Sequence, residues 1–183
     1  MIHGPIRQDS GQKQAGFDSC PDFQYLRAME QTLVSNKEVV DGLRQVTADT
    51  YALMGQTHLC HWNVEGHGFF ALHQAFEEQY TELFTAVDEI AERVRALGAY
   101  APGGLGNLAN MSGFSEIDED AAADKMVKSL HDQHMTLMER AKKVRDAAAD
   151  AEDKETEDLM IQRIQIHEKT AWMLRSYLRD TAK

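Results

Sequence analysis

Residues 69–98 read FFALHQAFEEQYTELFTAVDEIAERVRALG, and this stretch decides the fold. Phe69, Leu72, Phe76, Leu83, Val87, Ile90, Val94 and Leu97 recur every three or four positions, the spacing that lays one side of an α-helix against a core. Phe84 is counted with Phe69 and Phe76 as an expected core aromatic. No proline interrupts the run, and at its end the breakers crowd together in Gly98-Ala99-Tyr100-Ala101-Pro102-Gly103-Gly104-Leu105-Gly106, which begins a long connection.

Working outward, the same period returns on both sides. Upstream it is carried by Leu43, Val46, Leu53, Met54 and Val64. Downstream it appears twice, in Met126, Leu130, Leu137, Ala141 and Val144, and in Met160, Ile164, Ala171, Leu174 and Leu178. No alternating strand pattern and no Asn-Gly hairpin turn occurs. Four long helices are therefore expected, over roughly 27–65, 69–98, 118–149 and 154–181. Ser115 and Asp118 to Asp120 are expected to cap the third and complement its dipole. Glu65-Gly66-His67-Gly68 is short enough to fold the first two helices antiparallel. The connection after Gly98, about 20 residues, is long for that purpose and is expected to cross the bundle, with a short helix near Leu105–Met111. The expected fold is all-α: a tail over 1–21, punctuated by Gly4, Pro5, Gly11, Gly16 and Pro21, then one four-helix bundle domain over 22–183.

Composition narrows the function. Nineteen Lys and Arg face thirty Asp and Glu, a formal charge of −11, which argues against a generic nucleic-acid binder; it suits a protein that attracts cations, while plain solubility is the simpler reading of the charge alone. The tail offers Arg7 and Lys13 against Asp9 and Asp18, so DNA binding is expected to be weak or absent at physiological salt. Cys20 and Cys60 form no disulfide framework. The opening residues lack the apolar centre of a secretion signal and no apolar run reaches membrane-spanning length, so the cytoplasm is the expected compartment.

Four of the eight histidines, His58, His61, His67 and His73, fall within sixteen residues of one another, beside Glu65, Glu77, Asp88 and Glu92. Imidazole nitrogen with carboxylate oxygen suits iron, zinc or manganese rather than calcium or magnesium. His61 lies a turn before the first helix ends and His73 a turn after the second begins, so the hairpin brings them to one height, with Glu77 a turn further along. Asp88 and Glu92 cannot join them in the same chain, because fifteen residues of helix separate His73 from Asp88 by about 22 Å. Two copies of this helix crossing antiparallel about a twofold axis near residues 82–83 would place 73 beside 92 and 77 beside 88. That is an isologous contact carrying two identical sites. From spacing alone, plain surface ion pairs and a shared metal site both stay open. His67 is expected to face solvent, and His167, far along the last helix, receives no role.

The string His61-Trp62-Asn63-Val64-Glu65-Gly66, Phe69-Phe70-Ala71-Leu72-His73, Phe76-Glu77 and Asp88-Glu89-Ile90-Ala91-Glu92-Arg93 resembles the Dps family, the miniferritins of the ferritin-like superfamily. The resemblance implies a ferritin-like bundle assembled into a dodecameric shell. It implies ferroxidase sites between twofold-related subunits, with His61, His73 and Glu77 from one chain and Asp88 and Glu92 from the other. Iron(II) would be oxidised with hydrogen peroxide in preference to oxygen, and the ferric mineral stored, sparing the cell and its DNA from oxidative damage. Trp62 is similar in position to the family's tryptophan near the site, for which packing is the other reading. Many members carry Asp where Glu77 stands. His58 is expected as an outer partner of a ligand. Asp153, Glu155 and Asp158 occupy the region of the family's acidic entry pores, although acids at a helix start also simply complement its dipole.

Two rivals remain. One is a non-enzymatic nucleoid-compacting or stress scaffold that keeps the shell without the chemistry. The other is a shell that binds zinc or manganese at the same ligands. A di-iron bundle of the other kind, with its site inside one subunit, needs Glu-x-x-His on two helices, and that motif is absent.

Overall fold

The computed structural model describes residues 37–181, with side chains to 179. The expected tail over 1–21, the domain start at 22 and the expected first-helix start near 27 lie outside the described residues. Among the described residues there are five helices: α1 Lys37–Asn63, α2 Phe69–Ala96, α3 Leu105–Ser112, α4 Ala123–Asp150 and α5 Lys154–Thr181. No strand occurs among the described residues. Among the described residues no helix is long and apolar enough to cross a membrane.

Helices α1 and α2 form one antiparallel hairpin and α4 and α5 the other. The hairpins meet chiefly through α1 against α4, and the short α3 lies on α1. Leu43, Leu53, Phe76, Leu83, Ile90, Met126, Leu130, Leu137 and Met160 are fully buried, so the periodic stripes become the core. The close approach of α1 to α4 requires Gly42: a Cβ there would lie 2.6 Å from Val144 Cγ2. Threonines inside α1 are accommodated by donating back along the helix, Thr47 to Leu43 O, Thr50 to Val46 O and Thr57 to Leu53 O at 2.7–2.8 Å. At the end of α2 the chain turns away through Gly98, whose φ is +83°, the left-handed closure that glycine tolerates best.

Two expectations need correction. The third long helix begins at Ala123, not near 118. Ile117 is buried and its backbone N–H donates to Gln56 Oε1 at 2.8 Å, which holds this part of the crossover against α1. Asp118 instead sits in a turn, accepting from Ala121 N. Phe84 is 65% exposed, because it stands one residue, and so about 100° of helix rotation, beyond the buried Leu83.

Candidate metal centre

The last turn of α1 and the second turn of α2 carry the two histidines that the hairpin brings together. His61 and His73 stack with ring centroids 3.8 Å apart and planes 17° from parallel. Their hydrogen bonds are reciprocal: His61 Nδ1 lies 2.8 Å from the carbonyl oxygen of His73, and His73 Nδ1 lies 2.8 Å from that of His61. A carbonyl oxygen only accepts, so both rings carry a proton on Nδ1, and in the neutral ring it is Nε2 that holds the lone pair a cation needs. The backbone thus fixes tautomer and ring orientation together, the service that outer partners give metal-binding imidazoles.

Glu77 lies one turn beyond His73, and Asp88 and Glu92 follow further along. All three are exposed, and none enters a salt bridge among the described residues. At 100° per residue, His73, Glu77, Phe84, Asp88 and Glu92 fall within about 100° of the helix circumference. The exposed face of α2 is thus a stripe of candidate ligands with an aromatic ring near its middle. Among the described residues no three His, Cys, Asp or Glu side chains converge on one point. The single chain assembles the histidine pair and leaves Glu77, Asp88 and Glu92 outside it.

His58 does not hold a ring nitrogen of His61; their centroids are 6.2 Å apart. It stacks on Tyr80 at 4.3 Å and packs on Trp62 at 4.0 Å, and Tyr80 turns its edge to His61 at 5.3 Å. The two carbonyl groups hold the Nδ1 atoms of His61 and His73, and His58 meets this pair through ring packing. Trp62 is 66% exposed. Tyr80, which sequence reasoning passed over, lies seven residues after His73 on α2, and that spacing was its available signal.

Of the three acids considered for a pore, Asp153 is buried and fully engaged. Its Oδ1 accepts from Thr156 N at 3.1 Å and from Arg93 Nη2 at 2.5 Å, and its Oδ2 accepts from Thr156 Oγ1 at 2.7 Å. Burial pushes its carboxyl up, but the Thr156 hydrogen bonds and the Arg93 guanidinium outweigh that and hold it below the usual range. Asp153 caps α5 and ties it to α2. Glu155 and Asp158 remain exposed. His67 is exposed as expected.

This fold, two antiparallel helical hairpins joined by a crossover, is shared with known proteins. The ferritin family, described as a ferritin-like domain, matches residues 40–183. The chain is 36% identical over 143 residues to "DNA protection during starvation protein 2" of Bacillus anthracis, covering 78% of this chain and 98% of that one. Among solved structures, Dps from Staphylococcus aureus superposes with a TM-score of 0.74 at 34% identity, over 76% of this chain and 94% of that one. Dps from Bacillus brevis gives 0.76 at 32%, over 79% and 97%. The Vibrio cholerae Dps, described as a member of a broad superfamily of ferritin-like diiron-carboxylate proteins, gives 0.77 at 27%, over 80% and 92%. The chain belongs to the ferritin-like family, in its Dps branch.

Proposed function

We propose that this protein is an iron-oxidising, iron-storing miniferritin whose site is completed only when two copies pair. Iron(II) is the substrate. His61 and His73 offer Nε2, Glu77 adds a carboxylate from the same chain, and Asp88 and Glu92 come from a second copy across a twofold axis. The observation that carries this reading is the reciprocal Nδ1–carbonyl pairing of the two histidines, since it commits both rings to the tautomer a cation requires. The exposed, unpaired acids at mirrored positions along α2 support the second half.

Hydrogen peroxide is the preferred oxidant: one peroxide takes one electron from each of two Fe(II) and, with two protons from water, leaves as two waters, so no hydroxyl radical escapes. Trp62, in contact with His58 beside the site, is placed to intercept stray oxidising equivalents. The ferric product is stored inside a dodecameric cytoplasmic shell that shields DNA chemically, without binding it tightly. Glu155 and Asp158 remain as the acids near the entry route. Names such as "DNA protection during starvation protein" among the relatives agree with such a role.

The test is anaerobic loading with Fe(II), then peroxide, while ferric absorbance and sedimentation are followed. Fast oxidation with iron retained in a large soluble particle is expected. A large particle that neither oxidises nor retains iron would move the assignment to the scaffold. Zinc or manganese retention without oxidant consumption would move it to the other metals.

A further inference from the structure

Helices α2 and α5 touch far less than α4 and α5 do, and between them runs a groove of about 340 Å³. Ala75, Leu83, Ile166 and Met173 supply apolar wall, and Gln79, His134 and Thr170 are among its polar lining residues. Gln79 and Leu83 lie on a different side of α2 from Glu77 and Asp88, so the groove is separate from the candidate metal centre.

The hydrogen-bond polarity inside the groove follows from one fixed donor. Arg163 is paired with Glu82 and its Nη2 also lies 3.4 Å from His167 Nε2. A guanidinium never gives up its protons, so His167 Nε2 accepts. His167 therefore carries its proton on Nδ1 and donates it to His134 Nδ1, 2.9 Å away. His134 must then carry its own proton on Nε2. Burial, with the Arg163 charge beside it, pushes this imidazole down to about 3, so it is neutral under ordinary conditions. The His134 Nε2–H is buried and finds no acceptor among the described residues. Gln79 Oε1, also buried, finds no donor. Leaving such groups unpaired costs more than a typical hydrogen bond gains.

We propose that this groove is a binding site for a small neutral hydroxyl compound with an apolar body, of about the size of a phenol. The Gln79 side chain gives way as the ligand enters; a hydroxyl oxygen then accepts from His134 Nε2–H while its hydrogen donates to Gln79 Oε1, and the hydrocarbon lies against Ala75, Leu83, Ile166 and Met173. Other classes fit less well. A metal ion finds no lone pair on Nε2. An anion meets Glu78, Glu82 and only one lining cation, Lys169. The volume falls in the range of small-molecule sites.

The test uses the assembled, iron-free full chain and three probes, 4-fluorophenol, 4-fluoroanisole and fluorobenzene, read by calorimetry and fluorine resonance broadening. Fluorophenol is expected to bind saturably and about tenfold more tightly than the other two, because fluoroanisole cannot donate to Gln79 and fluorobenzene neither donates nor accepts. Gln79→Leu should erase that preference, and Ala75→Trp should abolish binding of all three. Ala75→Leu, a milder filling, carries the same expectation if the larger residue disturbs assembly. Equal affinity for the three probes, binding undiminished by filling, or no saturable binding (a groove that takes water only) would overturn the proposal.

Discussion

Asp153 separates two readings of the acids at the start of α5. If it caps that helix, replacing it should cost stability and leave iron traffic alone; if it lines an entry route, the reverse holds. Asparagine caps helices about as well as aspartate, so Asp153→Asn keeps the hydrogen bond from Thr156 N and loses the charge facing Arg93, whose side chain is 22% exposed. That partial exposure limits the loss to about 1 kcal/mol. Asp153→Ala also removes the cap and leaves Thr156 and Arg93 without their acceptor, for about 2–3 kcal/mol in all. At roughly 2–4 °C per kcal/mol for a chain of this size, the expected falls in Tm are about 3 °C and about 5–10 °C, at fixed protein concentration because assembly adds to apparent stability. Since the folded carboxyl is held below its ordinary value, its contribution is complete above about pH 4 and disappears as pH falls through the folded value. The gap between wild type and Asp153→Asn should therefore be full at pH 7 and close in acid. Unchanged Tm in Asp153→Ala together with slowed iron uptake would refute the capping argument.

His61→Ala with His73→Ala should abolish fast iron oxidation while sedimentation stays that of the assembled particle; unchanged oxidation would place the site elsewhere. Phe84, exposed on the ligand-bearing face of α2, should sit in the twofold contact, so Phe84→Glu is expected to shift the particle to smaller species in sedimentation. Cys60 is buried, which pushes its thiol up to about 12. In a Cys20→Ser background a thiol reagent should therefore find no reactive group until the protein is unfolded.

The bundle was legible because its helices bury one side each, and Leu72, Phe76, Leu83, Ile90 and Val94 announce that side by spacing alone. Where two apolar residues adjoin, spacing loses its power: Leu83 is core and Phe84 is surface, although both are large and apolar. The start of α4 was misplaced because Ile117 and Gln56, sixty-one residues apart, hold the preceding segment out of the helix, and no local pattern records that. The histidine pair could be placed by counting turns from a short connection. Its mutual bonding to backbone carbonyls could not, because a carbonyl group carries no residue identity. For the same reason His167 looked idle: its partner His134 lies thirty-three residues away, on a helix whose rotation is set by packing.

The claim of a site shared between copies is tested most directly by mixing two inactive variants. One carries His61→Ala and His73→Ala, the other Asp88→Asn and Glu92→Gln. When the two are unfolded together and reassembled in equal amounts, half of the twofold pairs are mixed, and each mixed pair holds one site with all five wild-type ligands. About a quarter of the wild-type sites should return, and with them about a quarter of the initial rate of iron oxidation. No recovery on co-assembly, or full activity of the acid variant alone, would contradict the intersubunit site.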